Sequence, residues 1–348
     1  MKKQKVNRNR LFLWILSVST IVLLALTIVG LIYFYYQVDT YQVSGIEDYQ
    51  TYSRLYVYIA DSPDSTVSDN LYQDLKDYGL QYDCYVERLG DDLVTSYTKE
   101  ELIDIAIQSK VSGIILEGDD SDETAALIDK AAAAGIPVIT VMTDAPNSSR
   151  CSFIGMNNYS AGTEYGNLVL TAASYDGKPG VKALVLMSSG DSNESALYMA
   201  IQERLNGSNI ALSSAVIESD SAFSAEEKII DILDEYDSIP DIIVCLSDIN
   251  TRCAYQYIVD KNLVGITTVI GYYDSDTVLE GIERGAIEAT FSVDTEQVAK
   301  YCVDALNEYY EMGNVSGYFD TNYVLINKSN VSEYINADDG EEVTDETA

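Results

Sequence analysis

From residue 54 onward, short apolar runs alternate with stretches whose apolar positions recur every three or four residues. Leu55–Ala60 (LYVYIA) predicts a strand, and Ser68–Tyr78, with Leu71 and Leu75 four apart, predicts a helix. Gln81–Glu87 follows as a strand, Lys99–Ser109 as a helix, and Val111–Leu116 as a strand. Asp122–Ala134 reads as a helix stopped by Gly135 before the strand Ile136–Val141. The second half repeats the pattern. Helices are predicted over Ser160–Ala173, Glu194–Leu205, Ala225–Tyr236, Thr251–Lys261, Asp276–Arg284 and Thr295–Met312. Strands are predicted over Val181–Met187, Ala211–Ile217, Ile242–Leu246, Thr267–Gly271, Ala289–Val293 and Tyr323–Ile326. Short apolar strands alternating with amphipathic helices are the signature of parallel sheets covered on both faces. Two successive doubly wound units imply two α/β lobes, with ligands held beyond the carboxyl ends of the strands.

The ends of the chain read differently. Lys2, Lys3, Lys5, Arg8 and Arg10 precede 26 uncharged positions, Leu11 to Tyr36, which end in Tyr33-Phe34-Tyr35-Tyr36. That length exceeds the roughly 20 residues a membrane-crossing helix needs, and the basic start with an aromatic finish sets the N-terminus on the cytoplasmic side. The alternative is a cleaved signal peptide, which has a shorter apolar core and a small-residue cleavage site that is not found here. The expected organisation is a basic N-terminus (1–10), one transmembrane helix (11–36) and a polar stalk (37–53). A globular part (54–335) and an acidic disordered tail (336–348) follow. The large domain is thereby expected outside the cytoplasm, on a single-pass membrane anchor.

Charge and composition then narrow the function. All 56 acidic residues follow the apolar run, with 16 of the 21 basic ones, so that part carries a net charge of −40. No basic patch is available to track phosphates, which excludes nucleic acid as a partner. Histidine is absent, which removes the usual general base and the commonest transition-metal ligand. No enzyme, metal site or cofactor is therefore expected. The five cysteines lack C-x-x-C spacing and read as buried apolar thiols. Asp119-Asp120-Ser121-Asp122 lacks the glycine and terminal glutamate of an EF-hand loop. Ser188-Ser189-Gly190-Asp191 lacks the lysine of a P-loop.

The stretch Ala134-Gly-Ile-Pro-Val-Ile-Thr-Val-Met-Thr-Asp-Ala-Pro146, followed by Ile154-Gly-Met-Asn-Asn-Tyr-Ser-Ala-Gly162, resembles the type I periplasmic sugar-binding proteins. Val111-Ser-Gly-Ile-Ile-Leu116, Ile270-Gly-Tyr-Tyr-Asp274 and Leu279-Glu-Gly-Ile-Glu-Arg-Gly285 add to the resemblance, which covers about residues 54–335. These are the ribose- and galactose-binding proteins, whose fold is shared with the effector domains of lac-repressor-like regulators. The resemblance implies two lobes joined by a three-strand hinge, with crossovers near Asn157–Tyr159, Val293–Thr295 and Asp320–Asn322. Lobe 1 would combine 54–157 with 295–320, and lobe 2 158–293 with 321–335. A repressor needs an N-terminal helix-turn-helix, whose place is taken here by the apolar run.

The resemblance also implies ligand contacts at strand ends. Asp61, Ser62 and Asp64 follow the first strand, and Met142, Thr143 and Asp144 follow Ile136–Val141. Leu197 falls where the family has an arginine, and Ser247, next to Asp248, where it has an asparagine. Tyr273, flanked by Tyr272 and Asp274, takes the place of the family's aspartate, and Val293, beside Asp294, that of its glutamine. Asn157 and Asn193 complete the candidate set. Asp144, Asp248 and Asp274 suit helix capping as well as ligand binding. The missing arginines disfavour an anionic ligand, leaving a neutral sugar or polyol. The resemblance implies a solute-binding protein delivering to an ABC permease. A receptor subunit partnering a membrane histidine kinase is the alternative, favoured by the apolar anchor and the altered contacts.

Overall fold

The structure is a computed structural model that describes residues 51–61, 65–90, 97–176, 180–188, 192–218 and 221–338, together with positions 14, 18, 24 and 27–29. The chain divides into two compact units, Met1–Thr51 and Tyr52–Ala348. The expected anchor at 11–36 lies almost entirely outside the described residues, as does the tail from 339. Among the described residues no helix is long and apolar enough to cross a membrane.

The second unit holds two six-stranded sheets of matching design. The first has the order β11 (Tyr318–Asp320), β5 (Ser152–Gly155), β4 (Val138–Val141), β3 (Gly113–Leu116), β1 (Arg54–Ile59), β2 (Cys84–Arg88), all parallel. The second runs β12 (Tyr323–Asn327), β10 (Ile287–Val293), β9 (Thr268–Tyr272), β8 (Ile242–Cys245), β6 (Val181–Met187), β7 (Ile210–Val216). It is parallel except for β12, which pairs antiparallel with β10. In each sheet the strand order reverses direction beside the first strand, between β1 and β3 and between β6 and β8. Such a switch point leaves a crevice at the carboxyl ends of the strands.

β3, β4 and β8 are buried along their whole length, because helices cover both faces of each sheet. Helices α1 (Thr66–Gln81) and α9 (Thr295–Met312) cover one face of the first sheet, while α2 (Lys99–Ser109) and α3 (Asp122–Ala133) cover the other. On the second sheet, α4 (Asn158–Asp176) and α5 (Ser192–Leu205) cover one face, and α6 (Ala222–Asp234), α7 (Asp248–Asp260) and α8 (Asp276–Glu283) the other. Helix α10 (Val331–Asp338) closes the described chain, so 336–338 are helical where the acidic composition predicts disorder.

Caps explain several boundaries. Thr98 and Glu101 form a reciprocal capping box at the start of α2, and Lys110 ends it in a left-handed conformation. Gly313, at φ 74°, ends α9. The predicted strand at Gln81–Glu87 begins too early, since α1 runs through Gln81 and β2 starts at Cys84. The chain passes between the sheets at 156–157, at Asp294 and at 321–322. Tyr272 and Met156 pack against apolar clusters of both sheets at this junction. Cys84, Cys245 and Cys302 are buried, and all five cysteines are free thiols.

Candidate functional site

A cavity of about 260 Å³ lies between the two sheets. Its walls come from chain that leaves β1, β3, β4 and β5 on one side and β6, β8 and β9 on the other. Both switch points therefore face the same space. The volume falls just below the roughly 300–1,000 Å³ of drug-sized sites, which suits a smaller molecule. A wider groove of about 830 Å³ runs along α5 to the start of β7, away from the space between the sheets.

On the lobe 1 side the central group is Glu117, the first residue past β3. It is buried, and its carboxylate accepts hydrogen bonds from the Tyr58 hydroxyl, the Ser68 hydroxyl (2.7 Å) and the Asp61 N–H (2.9 Å). Burial pushes the Glu117 carboxyl up, against the pull of those three donors. Asp119 receives Lys99 Nζ (2.6 Å), the Thr124 hydroxyl (2.7 Å) and the Ser121 N–H (3.0 Å). Partial burial raises its pKa, but Lys99 and the hydroxyl donors win and pull it down to about 2. Lys99 also reaches Asp61 at 3.1 Å. Two carboxylates on this wall thus share one ammonium.

On the lobe 2 side, Ser188 N–H meets both Glu194 carboxylate oxygens at 2.9 Å. The Asn158 amide donates to Asn193 Oδ1 (3.0 Å), whereas Asn193 Nδ2 is buried with no hydrogen-bond partner among the described residues. Ser247 caps α7 by accepting from Asn250 N–H (3.3 Å). Asp248 is only 3% exposed and faces lobe 1. Met142 and Tyr273, the residues just past β4 and β9, take equivalent places in the two sheets and share a left-handed backbone, at φ 60° and 70°. For non-glycine residues that conformation is costly, and it concentrates at functional sites.

The expected contacts divide cleanly. Asp61, Met142, Thr143, Asn193, Ser247, Asp248 and Tyr272 line the cavity. Ser62 and Asp64 lie outside the described residues. Five others stand off the wall, four of them for visible reasons. Asp144 is clamped by the Arg150 guanidinium through both carboxylate oxygens, and also by the Thr140 hydroxyl (2.9 Å). Asn157 accepts from Ser160 N–H (3.0 Å) at the start of α4. Asp294 caps α9 through Gln297 N–H (2.9 Å). Tyr273 is buried, with its hydroxyl taken by Asn70 (2.7 Å). Asp274, beside it, is likewise not among the lining residues. Sequence reasoning missed Glu117, Asp119 and Glu194. A carboxylate directly after the apolar run of β3 was the available signal, since ligands collect at that edge. Leu197 lines the cavity where the family resemblance places an arginine, and among the described residues no lysine or arginine does.

The periplasmic binding protein domain family matches residues 56–314, and the chain belongs to that family. No curated protein matches the sequence. Among solved structures it is similar to GanP, a glucose-galactose binding protein from Geobacillus stearothermophilus (TM-score 0.70, 20% identity, 79% of this chain and 98% of GanP). It is also similar to an ABC transporter solute-binding protein from Burkholderia graminis in complex with D-arabinose (TM-score 0.71, 18% identity, 82% of this chain and 98% of that one). A third similar structure is the XylFII–LytSN complex (TM-score 0.69, 22% identity, 79% of this chain and 98% of that one). At these identities the likeness is one of fold.

Proposed function

We propose that this protein binds a neutral monosaccharide or small polyol in the cleft, outside the cytoplasm and on a membrane anchor, and delivers it to an ABC permease. The observation that carries the reading is the lining of the cleft. Among the described residues it combines carboxylates, hydroxyls and side-chain amides with no cationic side chain, at the strand ends where this fold takes ligands. Carboxylates accept from ligand hydroxyls, and the buried Asn193 amide offers a donor whose unmet hydrogen bond costs about 1–3 kcal/mol until an acceptor arrives. The aliphatic wall of Met142, Leu197 and Leu246 suits the C–H face of a sugar ring. The sugars named in the similar structures support the same ligand class.

The direct test is a thermal-shift series on the full chain in detergent with pentoses, hexoses and polyols. A ligand at 100 times its Kd adds about 2.7 kcal/mol of stability, so a true ligand raises Tm by several degrees. No shift from any member of the series overturns the carbohydrate reading. The anchor rests on the uncharged run 11–36 and is tested by alkaline extraction of membranes, which leaves a spanning protein in the pellet. A membrane histidine kinase is the alternative partner, and the XylFII–LytSN complex supports pairing with a second protein as a route for this fold. Co-purification from membranes with a permease or with a kinase separates the two.

A further inference from the structure

Three hydrogen bonds to two lobe 2 side chains, Asp248 and Tyr273, cross the cleft, and protein groups alone make them. Asp248, the first residue of α7 in lobe 2, accepts the Thr66 N–H (3.0 Å) and the Ser65 hydroxyl (3.4 Å) of lobe 1. Thr66 opens α1, and Ser65 is its N-cap. One turn further along α1, Asn70 Nδ2 donates to the Tyr273 hydroxyl of lobe 2 at 2.7 Å. Residues four apart share one face of a helix, so α1 is gripped at two points by groups that follow β8 and β9.

The first turn of a helix presents unpaired N–H groups and the positive end of the helix dipole. In α1 the Ser68 N–H is met by Ser65 from within the helix, whereas the Thr66 N–H is met from the opposite lobe. Asp248 is not needed as the cap of its own helix, because Ser247 does that work. Tyr273 meets Asn70 from a left-handed backbone that disfavours tyrosine, the same one that Met142 adopts past β4. Asp248 is thus not placed to cap its own helix.

We propose that Asp248, seconded by Tyr273, is a latch that draws the lobes together, so that the closed arrangement is populated before any ligand binds. The latch is openable because its charge is costly to bury. Burial pushes the Asp248 carboxyl up, and the Arg252 guanidinium at 3.5 Å only partly offsets this. Opening would return the carboxylate and the Thr66 N–H to water. Ligand entry would then wait on unlatching, while affinity gains from a binding-competent state that is already populated.

Interlobe distances measured on the full chain in detergent, with no sugar added, test this. Spin labels go on exposed Glu123→Cys, at the start of α3, and Glu227→Cys, midway along α6, with Cys151 and Cys253 changed to Ser. The parent should give one short distance population. Asp248→Ala should shift the closed-to-open ratio by roughly tenfold or more, the scale of one charge-assisted hydrogen bond. Asn70→Ala should shift it less, and the double variant most. Should Asp248→Ala fail to fold, Asn70→Ala, a truncation at an exposed position, decides alone. An open parent, or distances unmoved by the substitutions, overturns the latch. Since no sugar enters the measurement, either outcome leaves the proposed ligand class standing or falling on its own test.

Discussion

The two faces of the cleft are built on the same strand order, yet they treat their polar groups in opposite ways. On the lobe 1 face the two central carboxylates are met from within their own lobe, and only donors of α1 turn to lobe 2. Glu117 is held by Tyr58, Ser68 and Asp61 N–H, and Asp119 by Lys99, Ser121 and Thr124, all from the first sheet and its helices. The lobe 2 face leaves business outside itself. Asp248 is satisfied by the other lobe, and Asn193 keeps a buried donor without a partner among the described residues. The difference teaches a division of labour. Lobe 1 supplies a rigid, preorganised wall, and lobe 2 carries the groups whose satisfaction depends on closure or on a ligand.

The largest test of that contrast is Glu117→Ala. It strands three donors in a buried place, and breaking such a charged network costs about 3–5 kcal/mol. Urea unfolding should show the loss with or without sugar. A cost below about 1 kcal/mol would mean that the lobe 1 wall is not held by this carboxylate.

Next comes the scaffold of the lobe 2 face. Gly162 in α4 lies so close to α5 that an added Cβ would sit 2.6 Å from Leu197 O and 2.7 Å from the Ala200 Cβ. Gly162→Ala should therefore push α5 away at a cost of about 1–3 kcal/mol. It should also weaken ligand binding, because α5 carries Asn193, Glu194 and Leu197. Unchanged stability by urea unfolding would show that the helix pair has slack.

Asp119→Asn offers a smaller, pH-dependent effect. The folded pKa, about 2, lies below the unfolded value near 3.9. The ion form therefore stabilises the fold above pH ~4, and that stability is lost as pH falls toward 2. The full difference of about 2.6 kcal/mol shrinks to about 1–2 kcal/mol with partial exposure. Wild type and variant should differ by that amount at pH 7 and converge near pH 2 in urea titrations. A gap that persists at pH 2 would trace the loss to something other than the Lys99 pair.

Much of this architecture is legible in the residues, and what is not has a physical cause. Lys99–Ser109, Val181–Met187 and Thr295–Met312 are predicted to the residue. For the two helices a capping box at Thr98 and Glu101 and a terminal Gly313 coincide with the apolar period. β5 (SFIG) and β11 (YFD) escape notice because they lack the run of branched apolar side chains that marks the equally short β3, β4 and β8. They are strands only through the pairing of Tyr318 with Phe153 and of Phe319 with Ile154. The site is harder to read than the fold. A strand-end acid has the same signature whether it caps a helix, pairs with an arginine or faces a ligand. Asp144 meets Arg150, Asp294 meets the first turn of α9, and Asp248 meets the far lobe, and only the folded chain distinguishes these fates.

The finest probe of the contrast is Asn193→Leu, for which the smallest change in stability is expected. The Nδ2 group makes no hydrogen bond within the described fold, so its removal discards nothing that the closed protein uses. The change does strip Asn158 of the acceptor it reaches at 3.0 Å, but Asn158 borders the cavity and can turn to water there. Relief of that unmet donor and loss of the Asn158 bond oppose one another, so a net effect within about 0.5 kcal/mol follows. For a bound sugar the same change removes a buried donor, and an unpaired ligand oxygen costs about 1–3 kcal/mol, or roughly five- to 150-fold in Kd. Calorimetric titration with whichever sugar raises Tm, beside urea unfolding, reads both quantities. Lost affinity at preserved stability marks Asn193 as a group kept for the ligand. Equal losses in both would make it an ordinary structural amide, and Asp248 alone would then set lobe 2 apart.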